Sequence, residues 1–173
     1  MKTVDLSLIE LIILDVDGTM TDGGVYIDDT GVESKKFSIK DGAGILLGEV
    51  IGLEFMILTG RKSISVEKRA QELKISKVYQ GVENKGDFIQ KYFEKFNLDK
   101  EKVAYIGDDL NDLQAMKKCS ISVCPNDAAE EVKAYCQLVL KHNGGDGVVR
   151  EFVEIVLKEK GQWDNAIERL FMK

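Results

Sequence analysis

The sequence predicts an α/β domain: a doubly wound parallel sheet with helices on both faces and a β-hairpin inserted after the first strand. Three observations lead there. Apolar runs at 11–14, 54–58 and 103–106 have strand length and lack a polar alternation, the pattern of strands buried on both faces. Each run opens into a polar, glycine-containing loop. Stretches with apolar residues at helical spacing separate the strands, and this alternation implies right-handed crossovers and a parallel sheet. The loops after the three runs then fall at one edge of the sheet, where folds of this kind bind ligands.

In chain order, Leu11–Leu14 is the first strand. Val25 to Ile27 and an extended run from Val32 to Ile39, separated by Asp28-Asp29-Thr30-Gly31, give the hairpin insertion at about 24–40. A lone hairpin is marginal in water, so it should pack on its own domain or on another copy of the chain. Asp41 is expected to cap a helix with Ile45, Leu46 and Val50 on its apolar side. Gly42 and Gly44 in its first turn imply close approach to a ligand or a strand. After the strand ending at Leu58, a helix from Ser63 or Ser65 to about Leu73 carries Ile64, Val66, Ala70 and Leu73. A short strand from Lys77 to Gln80 precedes a helix ending at Phe96, with Phe88, Ile89, Tyr92, Phe93 and Phe96 as a core stripe. Beyond Val103–Ile106 come a helix to Lys118, a strand at 121–124, a helix capped by Asp127, a strand at 138–140, and a last helix holding Phe152 to Leu157. The tail at about 160–173, with Trp163, Ile167, Leu170 and Phe171, should dock on the body or on a partner subunit.

Composition narrows the function classes. The 173 residues, 44% of them hydrophobic, suit a single domain over 1–173 with a sizeable core. A net charge of −6 argues against nucleic acid as a partner, since a surface that tracks phosphates needs a basic excess. Cys119, Cys124 and Cys136 are odd in number and lack a Cys-x-x-Cys spacing, which suits reduced, buried thiols in a cytoplasmic protein. Residues 1–6 contain acid, and no long apolar stretch precedes Asp15, so neither a secretion leader nor a membrane anchor is expected.

Chemistry concentrates in the loops. Asp15 and Asp17, one residue apart at the end of a buried strand and followed by Gly18, are placed to share a divalent cation and leave one oxygen free for attack. Thr59-Gly60 offers a hydroxyl and backbone N–H groups to a phosphoryl oxygen. The run Gly107-Asp108-Asp109-Leu110-Asn111-Asp112 holds acids that would repel one another and the Asp15/Asp17 pair, a conflict that a hard divalent ion such as Mg²⁺ removes. Each feature has an ordinary alternative: Asp-Gly and Thr-Gly also make simple turns, and a lone Lys85 would be a solvated charge.

Together, Asp15-Val16-Asp17-Gly18-Thr19, Thr59, Lys85 and Gly107-Asp108-Asp109 resemble motifs I to IV of the haloacid dehalogenase (HAD) superfamily. The resemblance implies a capless, Rossmann-like HAD fold and phosphatase chemistry. Asp15 would be the nucleophile and Asp17 the general acid/base, with Thr59 and Lys85 on the phosphoryl group. Asp15, the backbone oxygen of Asp17, and Asp108 would hold Mg²⁺, and Asp112 would support Lys85 or a metal-bound water.

A closer resemblance spans almost the whole chain. Residues 15–23, 38–45, 58–61, 105–109 and 144–151 look like those of the 3-deoxy-D-manno-octulosonate (KDO) 8-phosphate phosphatases. That family is typically homotetrameric, with the hairpin forming a barrel with its symmetry mates, and acts in lipopolysaccharide precursor biosynthesis. The resemblance implies a sugar-acid phosphate substrate whose carboxylate meets Lys40, beside Asp41, together with Arg61 after Gly60 and Arg69 on the next helix. Thr19, where the family often has Val, and Asp146, in the glycine segment, depart from its pattern. Relatives acting on nine-carbon sialic-type sugar-acid 9-phosphates, some with Glu at the position of Arg61, are the nearest alternative. A noncatalytic oligomerisation module and a phosphorylated receiver domain are the others.

Overall fold

The computed structural model describes residues 5–172. The N-terminal residues 1–4, read above for a leader, and residue 173 of the tail lie outside the described residues.

Six strands form one parallel sheet in the order β5-β4-β1-β6-β7-β8: β1 Leu11–Leu14, β4 Glu54–Leu58, β5 Lys77–Tyr79, β6 Val103–Ile106, β7 Ile121–Cys124 and β8 Leu138–Val139. β1 is central because every residue in it is apolar and buried. Its side chains alternate as a strand requires: Ile12 and Leu14 enter one core with Ile45, Phe152 and Val156, and Leu11 and Ile13 enter the other with Ile89, Phe93 and Tyr105. Leu14 lies opposite both Ile57 and Ile106, so the chain leaves β1, β4 and β6 at one level. That register brings the three polar loops to one edge.

The first core lies under α1 (Ile39–Glu49), α2 (Ile64–Glu72), α6 (Val148–Glu159) and α7 (Trp163–Phe171), and the second under α3 (Lys85–Phe96), α4 (Leu113–Met116) and α5 (Glu130–Tyr135). The C-terminal segment docks on the body through buried Ala166 and partly buried Trp163, Ile167 and Leu170. No helix among the described residues is long and apolar enough to cross a membrane.

Several local expectations are corrected. Ser38, not Asp41, caps α1, its hydroxyl accepting from the Asp41 N–H. Asp41 is buried in the first turn, where its Oδ1 accepts from the Arg150 N–H at 2.9 Å and so ties α1 to the start of α6. Asp127 does not cap α5; it accepts from the Gly144 N–H at 2.9 Å. The second hairpin strand shrinks from 32–39 to β3 (Glu33–Ser34), paired antiparallel with β2 (Tyr26–Ile27), because Ile39 already belongs to α1. Ile64 and Phe96 leave their stripes and stand 70% and 51% exposed.

The neighbour that demands glycine in α1 is a helix. A Cβ on Gly44 would lie 2.7 Å from Arg150 Cα, and one on Gly42 would lie 2.6 Å from the Arg69 guanidinium. Gly44→Ala should therefore destabilise the protein by about 1–3 kcal/mol, against the roughly 1 kcal/mol that helix propensity alone would add. A urea midpoint equal to or above the parent's would contradict this packing.

Candidate active site

The site is built at the ends of β1, β4 and β6. The Asp15 N–H donates to Ile106 O at 3.0 Å, which continues the β1–β6 ladder one residue beyond the strand and holds the Asp15 carboxylate over the sheet edge. Residues 16–20 then form a wide turn in which Gly18 takes φ of 90°. A Cβ there would collide with Asp108 Oδ2 at 1.9 Å, so glycine lets the two loops meet. The C-terminal glycine segment braces this turn from outside: the Gly145 N–H donates to Thr19 O at 2.9 Å. A Cβ on Gly144 would lie 1.8 Å from Gly18 O.

Lys85, the first residue of α3, is the hub. Its side chain is 1% exposed, and its Nζ donates to Asp15 Oδ1 and to Asp112 Oδ1, each at 2.6 Å. The Tyr105 hydroxyl donates to the same Asp112 oxygen at 2.6 Å, while Asp112 Oδ2 accepts from the backbone N–H groups of Asp108 and Asp109 at 3.0 and 3.3 Å. Both Asp112 oxygens are thus spent on organising the loop. Thr19, buried, donates to Asp108 Oδ1 at 3.3 Å. Asp109 is exposed and its side chain caps the short turn at 110–112.

Asp15, Asp108 and Asp112 can each present an oxygen within 4.8 Å of the others. One lysine cannot balance three carboxylates out of water. Burial, and then the charge of Asp112, push Asp15 up to about 7 against the pull of Lys85; burial, with Asp15 and Asp112, pushes Asp108 up to about 8. Two buried acids driven toward protonation at neutral pH, each able to present an oxygen to the same small volume, fit a hard divalent cation with oxygen ligands. Lys85 itself is held above its ordinary value by the two aspartates in spite of burial.

Of the other expected residues, Thr59 is buried, its N–H donating to Tyr79 O at 3.0 Å and its carbonyl accepting from the Val82 N–H at 3.1 Å. Its hydroxyl accepts from the Arg61 N–H at 3.4 Å, and Gly60 is exposed beside it. The Asp17 carboxylate turns away from the Asp15–Asp108 cluster toward the hairpin, where it pairs with Lys35 and lies 3.9 Å from Arg61 Nε. Arg69 donates to Ser38 O and to Glu72, both at 2.8 Å, and Lys40 is exposed on the first turn of α1. The geometry therefore joins Asp15, Asp108, Asp112 and Lys85 in one cluster and Asp17 and Arg61 in a second. Asp41 is engaged with α6, and Arg69 with α1 and Glu72.

Sequence reasoning missed Thr19, Tyr105, Glu33 and Lys35. Glu33 and Lys35 are two apart on an extended segment and so share a face, next to the loop carrying Asp17; that spacing was the available signal.

The raised carboxyls make stability depend on pH in a definite direction. An acid with a folded value of about 8 and an ordinary value of 3.8 binds more protons in the folded chain between those limits, so its contribution is lost as pH rises through the folded value. In chelator, Asp108→Asn should therefore gain stability over the parent as pH rises from 5 to 8, by at least about 1 kcal/mol. Mg²⁺ added at pH 8 should stabilise the parent alone. A difference that stays flat with pH would contradict the assignment of Asp108 to a buried acid cluster.

Residues 75–152 match the model of the haloacid dehalogenase-like hydrolases. The chain is 40% identical over 158 residues to the 3-deoxy-D-manno-octulosonate 8-phosphate phosphatase of Escherichia coli (strain K12), covering 91% of this chain and 84% of that one. It superposes on the phosphatase of the same name from Moraxella catarrhalis, crystallised with magnesium, phosphate and KDO, with a TM-score of 0.91 and 33% identity over 95% of each chain. The cobalt-bound enzyme of Haemophilus influenzae gives a TM-score of 0.87 at 33% identity over 92% of this chain and 93% of that one. With identity and shape agreeing over nearly its whole length, the chain belongs to the haloacid dehalogenase-like hydrolases, within the branch of the 3-deoxy-D-manno-octulosonate 8-phosphate phosphatases.

Proposed function

We propose that the chain hydrolyses 3-deoxy-D-manno-octulosonate 8-phosphate to KDO and inorganic phosphate, a step of lipopolysaccharide precursor biosynthesis, through an aspartyl phosphate on Asp15. The observation that carries this reading is the buried Lys85 bridging Asp15 and Asp112, within a cluster that also holds Asp108. It puts an ionisable nucleophile, a fixed positive charge and a cation-binding carboxylate in one small volume.

In the first step an Asp15 oxygen forms a bond to phosphorus and the bond to the sugar oxygen breaks, Asp17 giving that oxygen its proton. In the second, Asp17 takes a proton from water as the water oxygen attacks phosphorus and the acyl phosphate bond breaks. Lys85 and the Thr59 hydroxyl hold the equatorial oxygens, where charge gathers in both transition states. Asp15, Asp108 and the backbone oxygen of Asp17 would hold a magnesium ion, which would supply charge neutralisation and orientation to this centre. The substrate carboxylate falls to Arg61, whose planar guanidinium can grip it in a fork. Lys40 and Arg69 add positive charge around α1, and Asp41 acts by fixing α1 against α6.

The same proposal makes the protein a cytoplasmic homotetramer. Support comes from the hairpin, where Ile27 and Val32 are 66% and 57% exposed on a ribbon too small to cover them. Sedimentation of the full chain should give a four-chain particle and Ile27→Glu a smaller one; a monodisperse monomer of the parent would overturn the assembly.

Phosphate release from KDO 8-phosphate should require a divalent ion, vanish in chelator and return with Mg²⁺. Asp15→Asn should lower it by about a thousandfold or more. Retention of parental rates by that variant would remove Asp15 as nucleophile, and faster release from a nine-carbon sugar-acid 9-phosphate would change the substrate.

A further inference from the structure

A second charged group lies beside the first. Lys35, whose side chain is 1% exposed, pairs with Asp17 and lies 3.1 Å from Glu33 Oε1; Arg61 Nη2 donates to Glu33 Oε2 at 2.5 Å and Arg61 Nε lies 3.9 Å from Asp17 Oδ2. Two basic and two acidic side chains close a quartet that links the hairpin, the β1 loop and the β4 loop. Lys35 and Arg61 hold Glu33 below its usual range, so it is ionised at neutral pH.

The quartet is incomplete as a structural ion pair. Asp17 Oδ2 is buried and has no hydrogen-bond partner among the described residues, an arrangement that protein interiors ordinarily avoid. Arg61 is 51% exposed, so its guanidinium faces both Glu33 and open solvent at the mouth of the site. Glu33 thereby shows what Arg61 takes: a carboxylate.

We infer that Glu33 is a specificity-determining gate, an internal carboxylate that holds Arg61 until a substrate carboxylate displaces it. This deepens the functional reading above and rests on it. A carboxylate arriving at Arg61 meets the carboxylate already paired there, and repulsion between it and Glu33 weakens binding unless Glu33 swings away. An acid-bearing sugar phosphate can drive that exchange, because its phosphoryl end is anchored at Lys85. A simple anion has no such anchor. The gate thus favours substrates carrying both groups at the correct separation, and it costs affinity for them.

Glu33→Gln removes the negative charge that faces Arg61. The KM for KDO 8-phosphate should fall about fivefold at low ionic strength, while kcat changes less. The fall should shrink at about 0.5 M salt, since half of this pair is open to solvent. The preference for KDO 8-phosphate over p-nitrophenyl phosphate, as the ratio of kcat/KM values, should rise. In an Arg61→Gln background the same substitution should lose its effect on KM. Glu33→Asp, a shorter carboxylate withdrawn from Arg61, should fall between parent and Gln and guards against a variant that folds poorly. An unchanged or raised KM in Glu33→Gln, or an equal fall in the Arg61→Gln background, overturns the gate while leaving the phosphatase reading standing. Failure of the unaltered chain to release phosphate from KDO 8-phosphate overturns that reading and the gate with it.

Discussion

A single buried ammonium group holds this site together. Lys85 sits out of water because two aspartates accept from it, and its charge in turn pulls the Asp15 carboxyl down against the burial that raises it. Removing either partner from such an arrangement leaves an uncompensated buried charge, worth several kcal/mol. The local fold around it follows from this need. Asn84 caps α3 so that the helix can begin at Lys85. Gly86 lets α3 approach α4 so closely that a Cβ would lie 2.7 Å from the Gln114 side chain. Gly107 yields the space that Asp112 requires, a Cβ there falling 2.4 Å from Asp112 Oδ2. Glycine recurs where backbone must pass close to a carboxylate or to another helix.

Much of this frame was legible in the sequence, for a physical reason. β1 and β6 are short apolar runs closed by polar loops, and their bounds coincide with those read from the residues because burial on both faces leaves no room for a polar exception. The placement of Asp15, Asp108 and Lys85 at one edge follows from a parallel sheet in register. The failures lie where a short polar side chain has a distant partner. Asp41 and Asp127, each ahead of a helical pattern, read as caps, yet their partners are Arg150 and Gly144, 109 and 17 residues away. Helix ends are local and readable, whereas contacts between helix termini and distant loops are set by tertiary packing.

The hairpin was legible as a hairpin and illegible as part of the chemistry. Residues 33–36 are polar without a break, so Glu33 and Lys35 look like part of a solvated stretch. The Asp28 side chain accepts from the Thr30 and Val32 N–H groups, each at 2.9 Å, which fixes the turn and hence which way Glu33 and Lys35 point. That direction carries Lys35 into contact with Asp17 and out of solvent. An element of only two paired residues per strand gains its definition from the ions beneath it.

The two charged clusters divide the work between them. In the first, excess negative charge around Lys85 is a stored demand for a cation. In the second, Arg61 is already paired with Glu33, and the inferred gate works by exchange of one carboxylate for another. Asp17 belongs by sequence to the first and by side chain to the second, so the group assigned to move the proton is steered by the residues that meet the distal part of a ligand. A protein that must hydrolyse one phosphate ester among many benefits from that coupling, because contacts far from phosphorus then bear on the position of the acid. The turn after β1 makes it possible: residues two apart on a straight strand would share a face, whereas the bent backbone at Asp17 and Gly18 sends one carboxylate to each cluster.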